Sequence, residues 1–324
     1  MAASTQNGKQ QILTESGTNE VEIIEFLLGA QSFGVNVAKV REIISFDPKS
    51  ITPMPEALPS VMGMFILRDS TLPLIDLGKH LGVKRGEGEA NQRRVVMVCE
   101  FNDLVNGFLV DGVNQIHRCS WADMRPLSSF ISQYGPSITS SVTINKRNIL
   151  LVDLEHVLVD IYPQTRLVYS EQDDPQHANN IAERHHEREI VHIIIAEDSP
   201  IVRASVKRIT DQVGYTNITF HDNGLAAFNE ILAARNWARQ EGRSPREKIA
   251  AVVSDIEMPQ MDGLTLCRRV KEELGVRDIP IIIFSSLINE QMIKKCQSVG
   301  ADAWSNKLEV ADLVHILDKF ALSK

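Results

Sequence analysis

The chain has 324 residues, with 34 Lys or Arg against 42 Asp or Glu, and its formal net charge is −8. This length predicts about two domains. An acidic chain without a long Lys/Arg cluster lacks the positive surface that nucleic acid or an anionic membrane would bind. Four widely spaced cysteines with no C-x-x-C pair exclude a disulfide scaffold and a cysteine-based zinc site.

Residues 1–20 are rich in Ser, Thr, Gln, Asn and Gly, and this composition predicts a disordered leader. The leader has neither the basic start nor the apolar segment of a secretory signal. Elsewhere, no apolar run approaches the ~20 residues that a membrane span needs. We therefore expect a cytoplasmic protein with no segment inserted in the membrane.

Residues 21–165 contain short runs of β-branched and alternating apolar residues, separated by turn signals such as Gly29 and Asn106-Gly107. Strands this short and this closely spaced predict an all-β barrel or sandwich domain. The predicted strands are Val21–Leu28, Ser32–Val37, Thr71–Asp76, Arg93–Phe101, Leu104–Val110 and Ile149–Leu154.

A polar segment at residues 166–189 follows, with six acidic residues and three histidines between Ser170 and Glu189. It contains almost nothing that a core would bury, so we interpret it as a solvated linker or a short exposed helix.

In residues 190–324, apolar strands alternate with amphipathic segments of helical length. This alternation predicts a parallel sheet with helices on both faces, and such sheets carry their chemistry at the carboxyl ends of the strands. The predicted strand–helix pairs are Val191–Ala196 with Ile201–Val213, Ala250–Ser254 with Leu264–Leu274, and Ile281–Phe284 with Asn289–Val299; a last helix spans Ala311–Leu322.

Polar side chains follow these strands. Glu197 and Asp198 end the first strand and Asp255 ends the third. Three carboxylates at one sheet edge repel one another unless a cation lies among them, and an oxygen-only ligand set favours Mg²⁺. Ser285 and Lys307 follow the next two strands and supply a hydroxyl and an ammonium group for a phosphoryl group. This set predicts phosphoryl transfer to Asp255.

Four segments resemble, in order and spacing, a two-component receiver domain: IAEDS from Ile195, DIEMPQMDG from Asp255, IPIIIFSS from Ile279 and GADAWSNK from Gly300. The resemblance implies a flavodoxin-like, doubly wound parallel sheet in which Asp255 is the phosphoacceptor.

The same resemblance implies that Glu197, Asp198, Asp255 and the backbone carbonyl of Glu257 bind Mg²⁺. It also implies that the Ser285 hydroxyl closes on the phosphoryl group, that Trp304 is the aromatic switch residue and that Lys307 pairs with the phosphoryl group. The chain departs from the pattern in two places. Leu308 stands where a proline is usual, and Trp304 is bulkier than the usual Tyr or Phe.

The first domain resembles the CheW-type coupling domains of bacterial chemotaxis. Four segments carry the resemblance: Glu22–Gly34, Ala38–Ile44, Val61–Leu77 and Ile149–Leu154. It implies an all-β double SH3-like barrel that links chemoreceptors to a histidine kinase. The N-L-R-G signature of the family reads Ile66-Leu67-Arg68-Asp69 here, so Arg68 is the candidate partner-binding residue and Asp69 replaces the glycine.

A coupling domain followed by a receiver resembles the CheV family. This implies a non-enzymatic adaptor between methyl-accepting chemoreceptors and a CheA-like kinase, at receptor arrays on the inner face of the membrane. Phosphorylation of Asp255 would serve adaptation or make the domain a phosphate sink. Two alternatives stay open: a Mg²⁺-dependent phosphatase of the haloacid-dehalogenase kind, and a structural adaptor whose receiver is not phosphorylated.

Overall fold

A computed structural model describes residues 16–84, 94–102, 104–127, 135, 137–163 and 178–322. Most of the predicted leader (1–15) and the first half of the predicted linker (166–177) lie outside the described residues. Within the described residues, no helix is long and apolar enough to cross a membrane.

The first domain consists of two mostly antiparallel β sheets. In chain order its strands are β1 (Glu20–Leu28), β2 (Gln31–Asn36), β3 (Val40–Ser45), β4 (Val61–Leu67), β5 (Ser70–Asp76), β6 (Val95–Phe101), β7 (Leu104–Val110), β8 (Gly112–Ser120), β9 (Arg125–Pro126), β10 (Ile138–Ile144) and β11 (Arg147–Val152). One sheet has the order β8-β1-β2-β11-β10-β9 and the other β3-β6-β7-β5-β4.

Three apolar cores hold these sheets together, and this arrangement agrees with the predicted double barrel. One core belongs to the first sheet, around Ile23 and Ile149, and one to the second sheet, around Leu74 and Val98. The third lies where the two sheets meet and contains the fully buried Phe26 together with residues of both sheets. Period-two alternation in the strands places apolar side chains on these inner faces.

Two short helices each follow a strand that ends in aspartate. Helix α1 (Leu77–His80) begins after Asp76, and helix α2 (Leu154–Ile161) begins after Asp153. Each aspartate carboxylate accepts a hydrogen bond from the backbone N–H three residues later, which satisfies a free donor at the helix start. These aspartates therefore have a capping role in the fold.

The second domain is a five-stranded parallel sheet with helices on both faces, as predicted. Its elements in chain order are α3 (Ala178–Ile190), β12 (Ile193–Ala196), α4 (Pro200–Val213), β13 (Ile218–His221), α5 (Gly224–Glu241), β14 (Ala251–Ser254), α6 (Gly263–Arg268), β15 (Ile281–Phe284), α7 (Glu290–Ser298), β16 (Ala303–Ser305) and α8 (Val310–Ala321). The strand order is β13-β12-β14-β15-β16.

Side chains that alternate along the buried strands divide this domain into two cores. Ile194 and Ile283 pack with α5, α6 and α7 on one face, whereas Ile193 and Ile282 pack with α4 and α8 on the other. The predicted helix Leu264–Leu274 differs from the structure, because α6 ends at Arg268. A wider π-helical turn follows at Arg269–Glu273.

The C-terminal part of the predicted linker packs against the second domain. Its described residues belong to α3, in agreement with the helical interpretation, and one side chain of the last turn is buried. Arg188 is fully buried, and its Nε and Nη2 donate to the two carboxylate oxygens of Asp318 on α8 at 2.9 and 2.6 Å. The hydroxyl of Tyr215 donates to the same carboxylate at 2.7 Å. A buried charge needs a partner, and these contacts attach the linker helix to the receiver-like fold.

We predict that Asp318→Asn lowers the free energy of unfolding of the second domain by about 3–5 kcal/mol, because it leaves the buried Arg188 guanidinium without its counter-charge. Urea unfolding of the full chain, followed by a probe in the second domain, measures this. Lys207→Met is the matched control, since it removes an exposed ion pair with Asp211 and should cost less than about 1 kcal/mol. Equal, small effects of both substitutions would contradict the assignment.

Candidate functional site

Three carboxylates meet at the carboxyl edge of the parallel sheet. Glu197 and Asp198 follow β12, Asp255 follows β14, and these two strands are paired neighbours with Ala196 opposite Ser254. Each carboxylate offers an oxygen, and the three oxygens lie within 4.8 Å of one another. The backbone N–H of Ile256 donates to Asp255 Oδ1 at 2.6 Å and fixes the orientation of that carboxylate. The pairing of the strands therefore produces the cluster that the sequence predicts.

The ammonium group of Lys307 lies against this cluster. Lys307 follows β16, and its Nζ donates to Asp255 Oδ2 at 2.9 Å and to Glu197 Oε1 at 3.1 Å. Burial alone would lower the pKa of Lys307, but Asp255 and Glu197 raise it well above its ordinary value. The side chain is therefore a fixed positive charge beside the Asp255 carboxylate.

Lys307 alone does not offset the cost of ionising both members of the acidic pair, Glu197 and Asp198. Burial raises the pKa of Glu197 to about 8, with Asp255 adding to the shift and Lys307 opposing it. Burial and the Glu197 charge raise the pKa of Asp198 well above its ordinary value. Both carboxylates are thus costly to ionise without a further cation, and an oxygen-only set of this size suits Mg²⁺.

The other predicted residues lie on the strands that follow. Ser285 is fully buried at the end of β15, and its N–H donates to the carbonyl of Ser305 at 3.2 Å. Trp304, on β16, is half-buried and packs against the core beneath α6 and α7. The N–H of Leu308 donates to Asn306 Oδ1 at 3.0 Å, a bond that a proline at this position could not make. The substitution at position 308 is therefore compatible with the placement of Lys307.

Among the first-domain residues that line this site, Lys39 and Glu155 carry charges, and no pattern in the sequence points to a role there for either. Glu155, in the first turn of α2, lies with its Oε2 3.8 Å from Lys307 Nζ and accepts a hydrogen bond from the hydroxyl of Ser286. Lys39 Nζ lies 3.0 Å from Glu155 Oε1 and 2.7 Å from Glu257 Oε2. We call Lys39, Glu155, Glu257 and Lys307 the interdomain ion cluster.

Electrostatics favour the charged forms of Glu155 and the two lysines, whereas burial raises the pKa of Glu257 despite the opposing charge of Lys39. Burial would raise the pKa of Glu155, but the two lysines outweigh it and lower the pKa to about 2. Burial would lower the pKa of Lys39, but Glu257 and Glu155 raise it well above its ordinary value. The Glu257 side chain also accepts a hydrogen bond from Asn36 at 2.9 Å, so its carboxylate faces the first domain.

Backbone and side-chain hydrogen bonds extend the contact between the domains. The N–H of Asn102 donates to the carbonyl of Ser286 at 3.0 Å, and the N–H of Gln260 donates to the carbonyl of Trp121 at 2.7 Å. Asn19 and Gly17 belong to the stretch predicted as leader, yet both bond to the second domain. Asn19 exchanges hydrogen bonds with the loop before α6, and the Gly17 carbonyl accepts from Arg268 at 2.9 Å. The polar composition of this segment serves an interdomain contact that local pattern does not reveal.

The candidate partner residue lies outside this site. Arg68 is at the tip of the β4–β5 hairpin with φ 56°, and its guanidinium is 3.1 Å from the carboxylate of Glu42. Its side chain is 70% exposed, and the neighbouring Ile66 is 73% exposed. An apolar side chain beside an accessible guanidinium is available to a protein partner.

Comparisons with known proteins agree with this two-domain structure. Residues 22–161 match the model of the CheW-like domain, and residues 193–318 match that of the response regulator receiver domain. The "Chemotaxis protein CheV3" of Helicobacter pylori is 29% identical over 318 residues, which cover 94% of this chain and 96% of that protein. The "Chemotaxis protein CheW" of Rhizobium meliloti is 38% identical over 137 residues, 42% of this chain and 86% of that protein.

The chain belongs to the CheW-like family and is of the CheV type, with a receiver domain after the CheW-like domain. Among solved structures, scaffolding protein TtCheW from Thermoanaerobacter tengcongensis is similar, with 21% identity and a TM-score of 0.38, over 41% of this chain and 84% of that one. The two family models and the observed sheets confirm the predicted family and fold class. The haloacid-dehalogenase alternative is not favoured, because in this CheV-type chain the Asp255-Ile256-Glu257 element follows the third strand of the sheet rather than the first.

We predict that Asp198→Asn weakens Mg²⁺ binding by about tenfold or more, since the loss of one charged ligand removes at least ~1.4 kcal/mol of attraction. A Mg²⁺ titration of the full chain, followed by NMR or calorimetry, measures the affinity. Asp211→Asn is the control, because Asp211 is an exposed acid of α4 that pairs with Lys207, and this variant should bind Mg²⁺ as the wild type does. An unchanged affinity in Asp198→Asn would place the cation elsewhere.

Proposed function

We propose that this CheV-type chain is a chemotaxis adaptor that couples chemoreceptors to a CheA-like histidine kinase and is modulated by Mg²⁺-dependent phosphorylation of Asp255. The observation that carries the proposal is the contact of Asp255 with Lys307 beside the acidic pair Glu197 and Asp198, on a receiver domain that follows a CheW-like domain.

The chemistry of the site follows from these contacts. The Asp255 carboxylate attacks the phosphorus of a phosphohistidine, so an O–P bond forms as the P–N bond breaks, and the product is an acyl phosphate. Lys307 stays within hydrogen-bonding distance of Asp255 and offsets the charge that develops on the phosphoryl oxygens. Glu197, Asp198, Asp255 and the Glu257 carbonyl would hold a Mg²⁺ ion, which would supply further charge neutralisation when bound.

Two residues are proposed to transmit the phosphorylated state. The Ser285 hydroxyl, which follows β15, would hydrogen-bond a phosphoryl oxygen once the loop after β15 moves toward Asp255. Trp304, on the neighbouring strand, then fills the space that the loop vacates. The phosphorylated population serves adaptation, or the domain acts as a phosphate sink.

The CheW-like domain supplies the partner-binding side of the proposal. Its exposed β4–β5 hairpin, with Arg68 and Ile66, is proposed to contact the kinase or the methyl-accepting chemoreceptors. The adaptor would then be located at receptor arrays on the inner face of the membrane. Its phosphorylation chemistry is a signal on the adaptor itself, as in CheV proteins, which are adaptors rather than dedicated enzymes.

We predict that incubation of the full chain with acetyl phosphate and Mg²⁺ adds the mass of one phosphoryl group, because Asp255 is the nucleophile beside Lys307. Intact mass spectrometry measures the adduct. Asp255→Asn should give none, whereas Asp211→Asn, an exposed acid of α4, should react as the wild type does. No adduct on the wild type would refute the proposed phosphorylation, and an adduct that persists in Asp255→Asn would place it on another residue.

We predict that Arg68→Glu reduces co-sedimentation of the full chain with receptor–kinase arrays by about fivefold or more, since it reverses a charge at the centre of the proposed contact. Arg118→Glu is the control, because Arg118 is similarly exposed on β8 and pairs with Glu20. Equal binding of both variants would remove the β4–β5 hairpin from the partner surface.

A further inference from the structure

The face of the receiver that carries Asp255 is covered by the CheW-like domain. Asp255 is 5% exposed, and the cavity beside it measures ≈ 50 Å³ and is lined by residues of both domains. Such a space holds only a few water molecules. A histidine phosphorylated on another protein must bring its phosphorus within bonding distance of Asp255, so transfer requires that the two domains first separate.

Glu155 and a phosphoryl group on Asp255 need the same cation. The Lys307 ammonium contacts Asp255 and also pairs with Glu155 of the CheW-like domain. A phosphoryl group carries about −1.5 to −2 charges at neutral pH. It would meet the Glu155 carboxylate in a site that is largely shielded from water, where like charges repel strongly.

Glu155 also holds the loop that has to move. The Ser286 hydroxyl donates to Glu155, and the Ser286 carbonyl accepts from the N–H of Asn102. Ser286 is adjacent to Ser285, whose hydroxyl has to shift toward the phosphoryl group. The loop after β15 is therefore attached to the first domain at the residue next to the proposed switch serine.

We propose that the interdomain ion cluster closes the CheW-like domain over the receiver, and that this closed arrangement and phosphorylation of Asp255 exclude one another. Glu155 is the residue that the phosphoryl group displaces from Lys307, and Lys39 holds Glu155 and Glu257 together across the interface. The inference rests on the proposed function, since it requires Asp255 to be the phosphoacceptor.

The coupling works in both directions by thermodynamic linkage. If phosphorylation shifts the closed–open equilibrium toward the open form by a given factor, then phosphorylation is more favourable in the open form than in the closed form by the same factor. Phosphorylation would thereby expose the side of the CheW-like domain around Asn36, Lys39 and Trp121, which the receiver otherwise covers. The unphosphorylated receiver thus blocks this face of its own CheW-like domain, and phosphorylation makes the face accessible.

Glu155→Gln in the full chain tests this proposal. We expect acetyl phosphate to phosphorylate the variant about tenfold faster than the wild type, because a reaction that needs the open interface speeds up as the open population rises. Asp160→Asn is the matched control: it removes an acid from the same helix, but one that faces His80 and His156 of its own domain. It should react at the wild-type rate.

Hydrogen–deuterium exchange separates opening from a local charge effect on the chemistry. The amides of Asn102 and Gln260 bond across the interface, and both should lose protection in Glu155→Gln and in Lys39→Met without any phosphoryl donor. In the wild type they should lose protection when Mg²⁺ and beryllofluoride are added. Protection that is unchanged in all three cases would overturn the proposal, even if phosphorylation itself proceeds. If the wild type accepts no phosphoryl group, the proposed function fails, and exchange in the two variants still shows whether the ion cluster closes the interface.

Discussion

The ion pairs of the Lys307 ammonium group are the interactions on which the candidate site and the contact between the two domains depend. Lys307 is 3% exposed and lies among Glu197 and Asp255 of its own domain and Glu155 of the other. An ammonium group so removed from water is stable only because carboxylates surround it, and the carboxylates are stable only because it is there. Any added charge at Asp255 therefore changes the balance of forces in both domains.

The fold places these groups through ordinary strand geometry. Parallel pairing of β12 with β14 brings Glu197 and Asp255 to one edge, and the succession of β15 and β16 brings Ser285 and Lys307 beside them. The CheW-like domain contributes through the start of α2, where Asp153 caps the helix and so sets the position of Glu155 two residues later. A helix cap in one domain thus helps to define the charge at a site in the other.

Local sequence pattern was sufficient for the parts of the structure that depend on neighbours along the chain. The apolar strands and the carboxylates that follow them predicted the parallel sheet and the cluster of Glu197, Asp198 and Asp255. The burial of Arg188 could not be predicted in this way. It lies in a polar stretch typical of a linker, and its partner Asp318 is 130 residues away along the chain. Lys39 and Glu155 are equally inconspicuous, because one lies in a turn and the other in a helix start, and only the docking of two domains brings them together. Residues that contact another domain show no periodic pattern in the sequence of either domain, so local sequence pattern does not predict them.

The central claim is that the phosphorylated receiver and the closed interface exclude one another. Small-angle X-ray scattering of the full chain tests it most directly, with Mg²⁺ alone and with Mg²⁺ plus beryllofluoride. The account predicts a larger radius of gyration when beryllofluoride is bound at Asp255, and no such change in Asp255→Asn. An unchanged radius of gyration in the wild type, with beryllofluoride shown to be bound, would contradict it.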